Sequence, residues 1–191
     1  MTRILISKLR PKSSRLAGSA IGDEHARQVA QQLQSAASGD NLAVFDFAGI
    51  ESASASYLKR LLNPFLADIE TGDEATARFS PVVVNATATD LLEELDDYLA
   101  GKEKALVVAA DDTAGLRFVR LLGRLDGAAA ETFDELRRHR EVTAQQLFER
   151  HPERTTNQTA WNNRLAQLVS LRIASRRREG RFWIYQLTVT T

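Results

Sequence analysis

Polar amide side chains recur on one side of a helical pattern near the C-terminus. At 100° per residue, Trp161, Leu165 and Leu168 fall within a single apolar sector. Thr159, Asn162 and Asn163 lie outside this sector, and Gln158 lies beside them at the predicted helix start; all four are uncharged and polar. Amides both donate and accept hydrogen bonds, so they can pair with the major-groove edge of adenine. The spacing therefore predicts a helix at 156–171 whose N-terminal half could read bases if it enters the major groove, whereas its composition alone favours a solvated surface helix.

A cluster of arginines follows this helix. The stretch ASRRREGRFWIYQL predicts a hairpin at 173–188 that turns at Glu179-Gly180. Four arginines lie at its tip: Arg176, Arg177, Arg178 and Arg181. Guanidinium groups there can contact the phosphates of DNA, although an arginine cluster can also be only a solvated surface. The return strand FWIYQL is β-prone, and we expect it to anchor on the helices.

Two further helices precede the amide-bearing one. They are predicted at 128–139 and 143–150, and the turn His-Pro-Glu-Arg-Thr separates the second from the helix at 156–171. Thr155 or Thr156 can cap that last helix. The order helix, turn, amide-bearing helix and basic hairpin is more specific than any one of these features.

From about Asp126 to Leu187 the sequence resembles the winged helix-turn-helix domains of ArsR-like and MarR-like bacterial transcription regulators. The resemblance implies a DNA-contacting helix at 156–171, a wing at 173–188 and the possibility of a homodimer. Arg172 stands where the family commonly has glycine, so a left-handed turn there would be strained unless the helix ends differently. The clustered Cys or His of the metal-sensing members are absent, because the chain has no cysteine and three scattered histidines.

Strand and helix patterns alternate through the first 110 residues. Strands are predicted at Ile4 to Ser7, at Leu42 to Phe47, from Pro81 to Val84, and at Ala105 to Ala110. Helices are expected after Gly22-Asp23 with a stop at Gly39, from about Ser54 with a kink or end at Pro64, and from Thr89 or Asp90. This alternation predicts an α/β layer. No comparable strand pattern follows Asp111, so a connector is expected at 112–127.

The stretch VFDFAGIESASASYLKRLL, from Val44 to Leu62, is similar to the central motif of STAS and STAS-like domains. The resemblance covers roughly residues 1–110 and implies a small α/β layer used in switching and protein association. In the anti-sigma antagonist branch a serine at the helix start is phosphorylated, and here that position aligns with Ala55. Ser52, Ser54 or Ser56 could be modified instead, or could simply cap the helix. Asp46 at the strand end belongs with these serines to a possible switch loop, and it is expected to cap or to hydrogen-bond a neighbouring loop.

Composition is that of a folded domain protein, with 43% hydrophobic and 26% charged residues. Net charge is zero, but from Thr132 onward there are 11 Arg and no Lys against 6 acidic residues, which leaves 14 basic and 19 acidic residues in the first 131. The basic end could attract a polyanion. No apolar run is long enough for a membrane span or a secretory signal, and a cytoplasmic protein is expected. No phosphate-binding glycine motif is present, and neither enzymatic activity nor a cofactor or metal is expected.

The sequence therefore predicts an α/β protein in which a STAS-like layer at 1–111 and a connector at 112–127 precede a winged helix-turn-helix domain at 128–191. The predicted function is that of a transcriptional regulator that binds double-stranded DNA, with a STAS-like domain that senses a signal or associates with a protein partner. The alternative is a protein-interaction switch of the anti-sigma-factor-antagonist type, in which the winged helix docks a protein.

Overall fold

A computed structural model describes residues 1–9, 13–36, 41–66, 76, 78–113, 115–154 and 157–189. The chain divides into two compact units, Met1–Arg124 and Leu125–Thr191. Its described residues form a mixed α/β structure with a mostly parallel central sheet.

The first unit is built around that central sheet. Its strands are β1 (Thr2–Leu5), β2 (Arg15–Leu16), β3 (Leu42–Asp46), β4 (Ser52–Ala53), β5 (Ser80–Val84), β6 (Ala105–Asp112) and β7 (Gly115–Gly123). Its helices are α1 (Ile6–Leu9), α2 (Ser19–Gln34), α3 (Ala55–Leu66) and α4 (Thr89–Ala100). The sheet order is β1-β3-β5-β6-β7, and β2 and β4 pair separately.

The four parallel strands follow one another in chain order across the sheet. Because crossovers between parallel strands are right-handed, this order places α2, α3 and α4 on the same face. The main apolar cluster agrees, since it joins Phe45 and Val83 of the sheet to Val29, Leu61 and Leu95 of the three helices. The nearly continuous apolar run of β3 is buried on both faces, as its sequence predicts.

Several predicted boundaries in this unit are wrong. The strand predicted at Ile4 to Ser7 instead spans Thr2–Leu5, and α1 begins directly after it at Ile6. Helix α2 begins at Ser19, before Gly22, and a Cβ on Gly22 would lie 2.7 Å from the carbonyl oxygen of Tyr57 on α3. The glycine therefore allows two helices to approach closely. Pro64 lies inside α3, which continues to Leu66. The predicted stop at Gly39 lies outside the described residues.

The largest correction concerns the predicted connector at 112–127. Most of it is strand β7, which pairs antiparallel with β6 at the edge of the sheet. The register shifts between Val108 and Ala109, so Val119 is an extra, bulged residue. The bulge and the neighbouring arginines Arg117 and Arg120 are features that discourage another strand from pairing with this edge.

Within its described residues, the second unit contains three helices and a small antiparallel sheet. Its elements are α5 (Gly127–His139), β8 (Glu141–Val142), α6 (Ala144–Arg150), α7 (Gln158–Ser170), β9 (Ala174–Glu179) and β10 (Phe182–Leu187). The sheet order is β8-β10-β9. Leu136, Leu147, Trp161, Leu165 and Tyr185 are buried in this unit. The three predicted helices and the hairpin are all present, with boundaries shifted by one or two residues.

Candidate nucleic-acid interface

The N-terminal half of α7 carries the predicted base-reading residues. Asn157 caps the helix, because its Oδ1 accepts a hydrogen bond from the backbone N–H of Ala160 at 3.0 Å. The caps expected at Thr155 or Thr156 lie outside the described residues. Three of the four predicted base-contacting residues are exposed: Gln158, Thr159 and Asn163. Asn162 is half-buried, so Asn163 is the better-placed amide of the pair.

The C-terminal half of α7 is tied to α5. Gln167 Nε2 donates a 2.7 Å hydrogen bond to Asp126 Oδ2, and the other carboxylate oxygen of Asp126 caps α5 by accepting from Ala129 N–H at 2.8 Å. The backbone hydrogen bond from Ala129, followed by that from Gln167, lowers the pKa of Asp126. Since Gln167 is engaged in this way, the available amide surface is the first turns of α7.

Helix α7 ends in a left-handed turn without glycine. The N–H of Ile173 donates to the carbonyl oxygen of Leu168 at 3.2 Å, and the N–H of Arg172 donates to that of Val169 at 2.9 Å. These two bonds form a Schellman motif, with Arg172 at a φ of 61°. The strained turn expected at Arg172 is therefore confirmed, and it costs about 1 kcal/mol relative to glycine.

The predicted wing is a hairpin formed by β9 and β10. Glu179 pairs with Phe182, so the turn residues are Gly180 and Arg181, one position later than the predicted Glu179-Gly180. Gly180 has a φ of 57°, and Arg181 does not have a positive φ. This combination suits a type II′ turn, which matches the twist of the flanking strands.

The four wing arginines divide into two groups. Arg177 is paired with carboxylates, since its Nη2 lies 3.1 Å from Glu141 Oε2 and 3.6 Å from Glu179 Oε2. The other three, Arg176, Arg178 and Arg181, are exposed and have no carboxylate within 4.0 Å in the described part of the chain. Their charge is therefore available for phosphates, whereas that of Arg177 is partly neutralised.

The wing aromatics differ from their expected anchoring role. Tyr185 and Leu187 are buried, but Phe182 is 37% and Trp183 is 40% exposed. The guanidinium carbon of Arg176 lies 4.5 Å from the ring centroid of Trp183, and that of Arg181 lies 4.9 Å from the ring centroid of Phe182. Only Tyr185 and Leu187, in the second half of β10, pack in the core of the unit. The first half of β10 carries the two exposed rings, each with an arginine over its face.

Asp46 holds a loop at the carboxyl end of β3. Its Oδ1 accepts hydrogen bonds from Asn85 Nδ2 at 2.9 Å and from the Ala48 N–H at 3.0 Å. Arg3 Nη1 lies 4.0 Å from the other carboxylate oxygen. The buried Asp46 therefore makes hydrogen bonds to a neighbouring loop, as predicted.

Ser54 caps α3. Its Oγ accepts from the N–H groups of Tyr57 and Gly18, each at 3.3 Å, and lies 3.0 Å from Ser56 Oγ. Ser52 is half-buried in β4, and Ser56 is exposed. The capping role expected of these serines is therefore found at Ser54, which also ties the helix start to the loop before α2.

Replacing Ser54 with alanine should lower the free energy of unfolding of the first unit by about 1 kcal/mol, because two backbone N–H groups lose their acceptor. Urea unfolding followed by far-UV circular dichroism measures this loss.

Ser54→Asp and Ser56→Asp should each change DNA binding by no more than about threefold, because an anion is tolerated at a helix start. A large change caused by Asp at either position but not by Ala would contradict a purely structural role and indicate a phosphoswitch.

A charged cluster that the sequence did not suggest surrounds Glu135 on α5. Glu135 is buried, with its carboxylate 2.6 Å from Arg138 Nη1, 3.0 Å from His151 Nε2 and 3.5 Å from His139 Nε2. Burial by itself would raise the pKa of Glu135, but the close approach and charge of His151 and the charge of Arg138 outweigh it and lower the pKa. Only the i, i+3 and i, i+4 spacings of Arg138 and His139 were visible in the sequence, since His151 approaches from another element.

Comparisons with family models, with curated proteins and with solved structures gave no match. Within the described residues, no helix is long and apolar enough to cross a membrane. Any function for this chain must therefore be argued from its own residues.

Proposed function

We propose that the protein is a DNA-binding transcriptional regulator whose second unit acts as a winged helix on double-stranded DNA. The proposal depends on one observation: an exposed, uncharged amide surface at the start of α7 belongs to the same unit as a hairpin whose Arg176, Arg178 and Arg181 lack carboxylate partners among the described residues. Amides suit base edges, and unpaired guanidinium groups suit phosphates.

In this proposal the residues have separate roles. Gln158, Thr159 and Asn163 read base edges from the first turns of α7, with Asn162 in a supporting position. Arg176, Arg178 and Arg181 position the wing on the phosphate backbone, and Arg177 contributes less because Glu141 and Glu179 share its charge. The first unit is a STAS-like module that senses a signal or associates with a protein.

Binding of the full-length chain to mixed DNA fragments should weaken steeply as salt is raised. Each phosphate contact releases counterions, so three available arginines predict a slope of log affinity against log salt of about −3. Fluorescence anisotropy across a salt series measures the slope. Arg177→Ala is a matched control, and it should change the slope less than Arg178→Ala because Arg177 is already paired.

Salt-independent binding, or no binding at low salt, would contradict the assignment of the wing. A pull-down that retains a protein from a chain that binds no DNA fragment would instead support the protein-interaction switch.

A further inference from the structure

Two aromatic side chains flank the turn of the wing. Phe182 and Trp183 are 37% and 40% exposed, whereas Tyr185 and Leu187 in the same strand are buried. Because consecutive residues of a strand point to opposite faces, the two rings lie on opposite faces of the hairpin. Packing within the second unit therefore explains the presence of an aromatic residue at Tyr185, but not at Phe182 and Trp183.

Each of these rings is paired with an arginine. The guanidinium groups of Arg176 and Arg181 lie 4.5 Å and 4.9 Å from the ring centroids of Trp183 and Phe182. A cation is attracted to the face of an aromatic ring, but these cations have no carboxylate within 4.0 Å to hold them within the described residues. A phosphate can draw the guanidinium away and leave the ring face free. Arginine and ring can then contact the phosphate and the base of neighbouring nucleotides.

We infer that the tip of the wing binds unpaired DNA bases where they adjoin a duplex, an inference that rests on the proposed DNA-binding function. In an intact duplex a ring can stack only by entering between base pairs, which requires them to unstack. Rings on opposite faces of one hairpin cannot both enter the same base step. Where the duplex opens, an unpaired base and the last base pair each offer a free face, and stacking on them needs no further unstacking.

The test compares two labelled probes of the same sequence, one fully paired and one with a short central unpaired bubble. The whole 191-residue chain should bind the bubbled duplex at least about fivefold more tightly, since base-aromatic stacking contributes strongly to binding. The double variant Phe182→Leu/Trp183→Leu should lose this preference and bind the paired duplex within about twofold of the unaltered protein. Trp183→Phe is the matched control, and it should keep most of the preference because it keeps a ring.

Tryptophan fluorescence gives a second readout. The chain has two tryptophans, of which Trp161 is buried and Trp183 is exposed. Stacking on a base quenches tryptophan emission, so the bubbled duplex should quench the unaltered protein. It should leave the emission of the Trp183→Phe variant, which reports Trp161 alone, nearly unchanged.

Four results would overturn the inference. Equal affinity for the two probes, or a preference that survives the double leucine variant, would reject it while leaving duplex DNA binding intact. Equally tight binding of one single strand of the bubbled probe would show that a junction with duplex DNA is not needed for binding, and would reject the inference. A folded protein, judged by circular dichroism, that binds neither probe would reject both this inference and the proposed function.

Discussion

Replacing Asn163 with alanine is expected to weaken binding to the preferred DNA site by about 1–3 kcal/mol and to leave nonspecific binding nearly unchanged. Asn163 is exposed near the start of α7, where its amide can meet a base edge. Loss of helix stability would not explain the effect, because alanine is the better helix former. The preferred site would first be selected from random DNA, and anisotropy titrations on that site and on a scrambled one would then measure the difference.

The matched experiment replaces wing arginines. Arg178→Ala and Arg181→Ala should weaken binding by similar factors on the preferred and scrambled sites, and each should make the salt slope shallower by about one unit. Asn162→Ala should have a smaller effect than Asn163→Ala, since Asn162 is half-buried. If the asparagine variants lose nothing on the preferred site, α7 is an ordinary surface helix. If the arginine variants bind DNA as tightly as the unaltered protein, the arginines of the wing form only a solvated surface.

The elements of both units could largely be predicted from the sequence because their periodicities are clear. The apolar runs of β3, β5 and β6 and the helical spacing of Trp161, Leu165 and Leu168 each match one template. Strand β7 could not be predicted because its bulge breaks the alternation. Phe118 pairs with Ala109 and Leu121 with Val107, so the two share a face although they are three residues apart. That spacing is typical of a helix rather than a strand.

The candidate interface was predicted less completely than the fold. The sequence identifies amides and arginines, but not which of them is already engaged. Gln167 is bonded to Asp126, and Arg177 is paired with Glu141, a residue 36 positions earlier in the chain. The exposure of Phe182 and Trp183 was also hidden, because a β-prone aromatic run has the same composition whether or not the hairpin extends beyond the core. These properties depend on long-range packing, which periodicity does not report.

The Glu135 cluster should make the stability of the second unit depend on pH in acid. The carboxylate of Glu135 faces His139, His151, Arg138 and Arg154, and Glu153 lies beside His151. The close approach and charge of His151, with the charge of Arg138, overcome the effect of burial and hold the pKa of Glu135 below its usual value. A group whose pKa is lowered by folding stabilises the folded state above its unfolded pKa, and this stabilisation is lost as pH falls through the folded pKa.

Replacing Glu135 with glutamine should therefore reduce the free energy of unfolding of the second unit at neutral pH by about 1.5–3 kcal/mol, the range for hydrogen bonds to charged groups. The difference between the unaltered protein and Glu135→Gln should shrink as the pH falls below about 4, the usual range of a glutamate. Urea unfolding followed by tryptophan emission is the suitable measurement, because both tryptophans of the chain lie in this unit.

Glu131→Gln is the control for Glu135→Gln, because Glu131 is an exposed glutamate on the same helix. It should change stability by less than about 0.5 kcal/mol, as is usual for surface substitutions. Equal stabilities of Glu135→Gln and the unaltered protein at neutral pH, or a difference that persists unchanged at pH 3, would show that the cluster does not stabilise the folded unit through the charge of Glu135. The predicted result would instead show that the charge of Glu135 stabilises the contact between α5 and His151 at the end of α6.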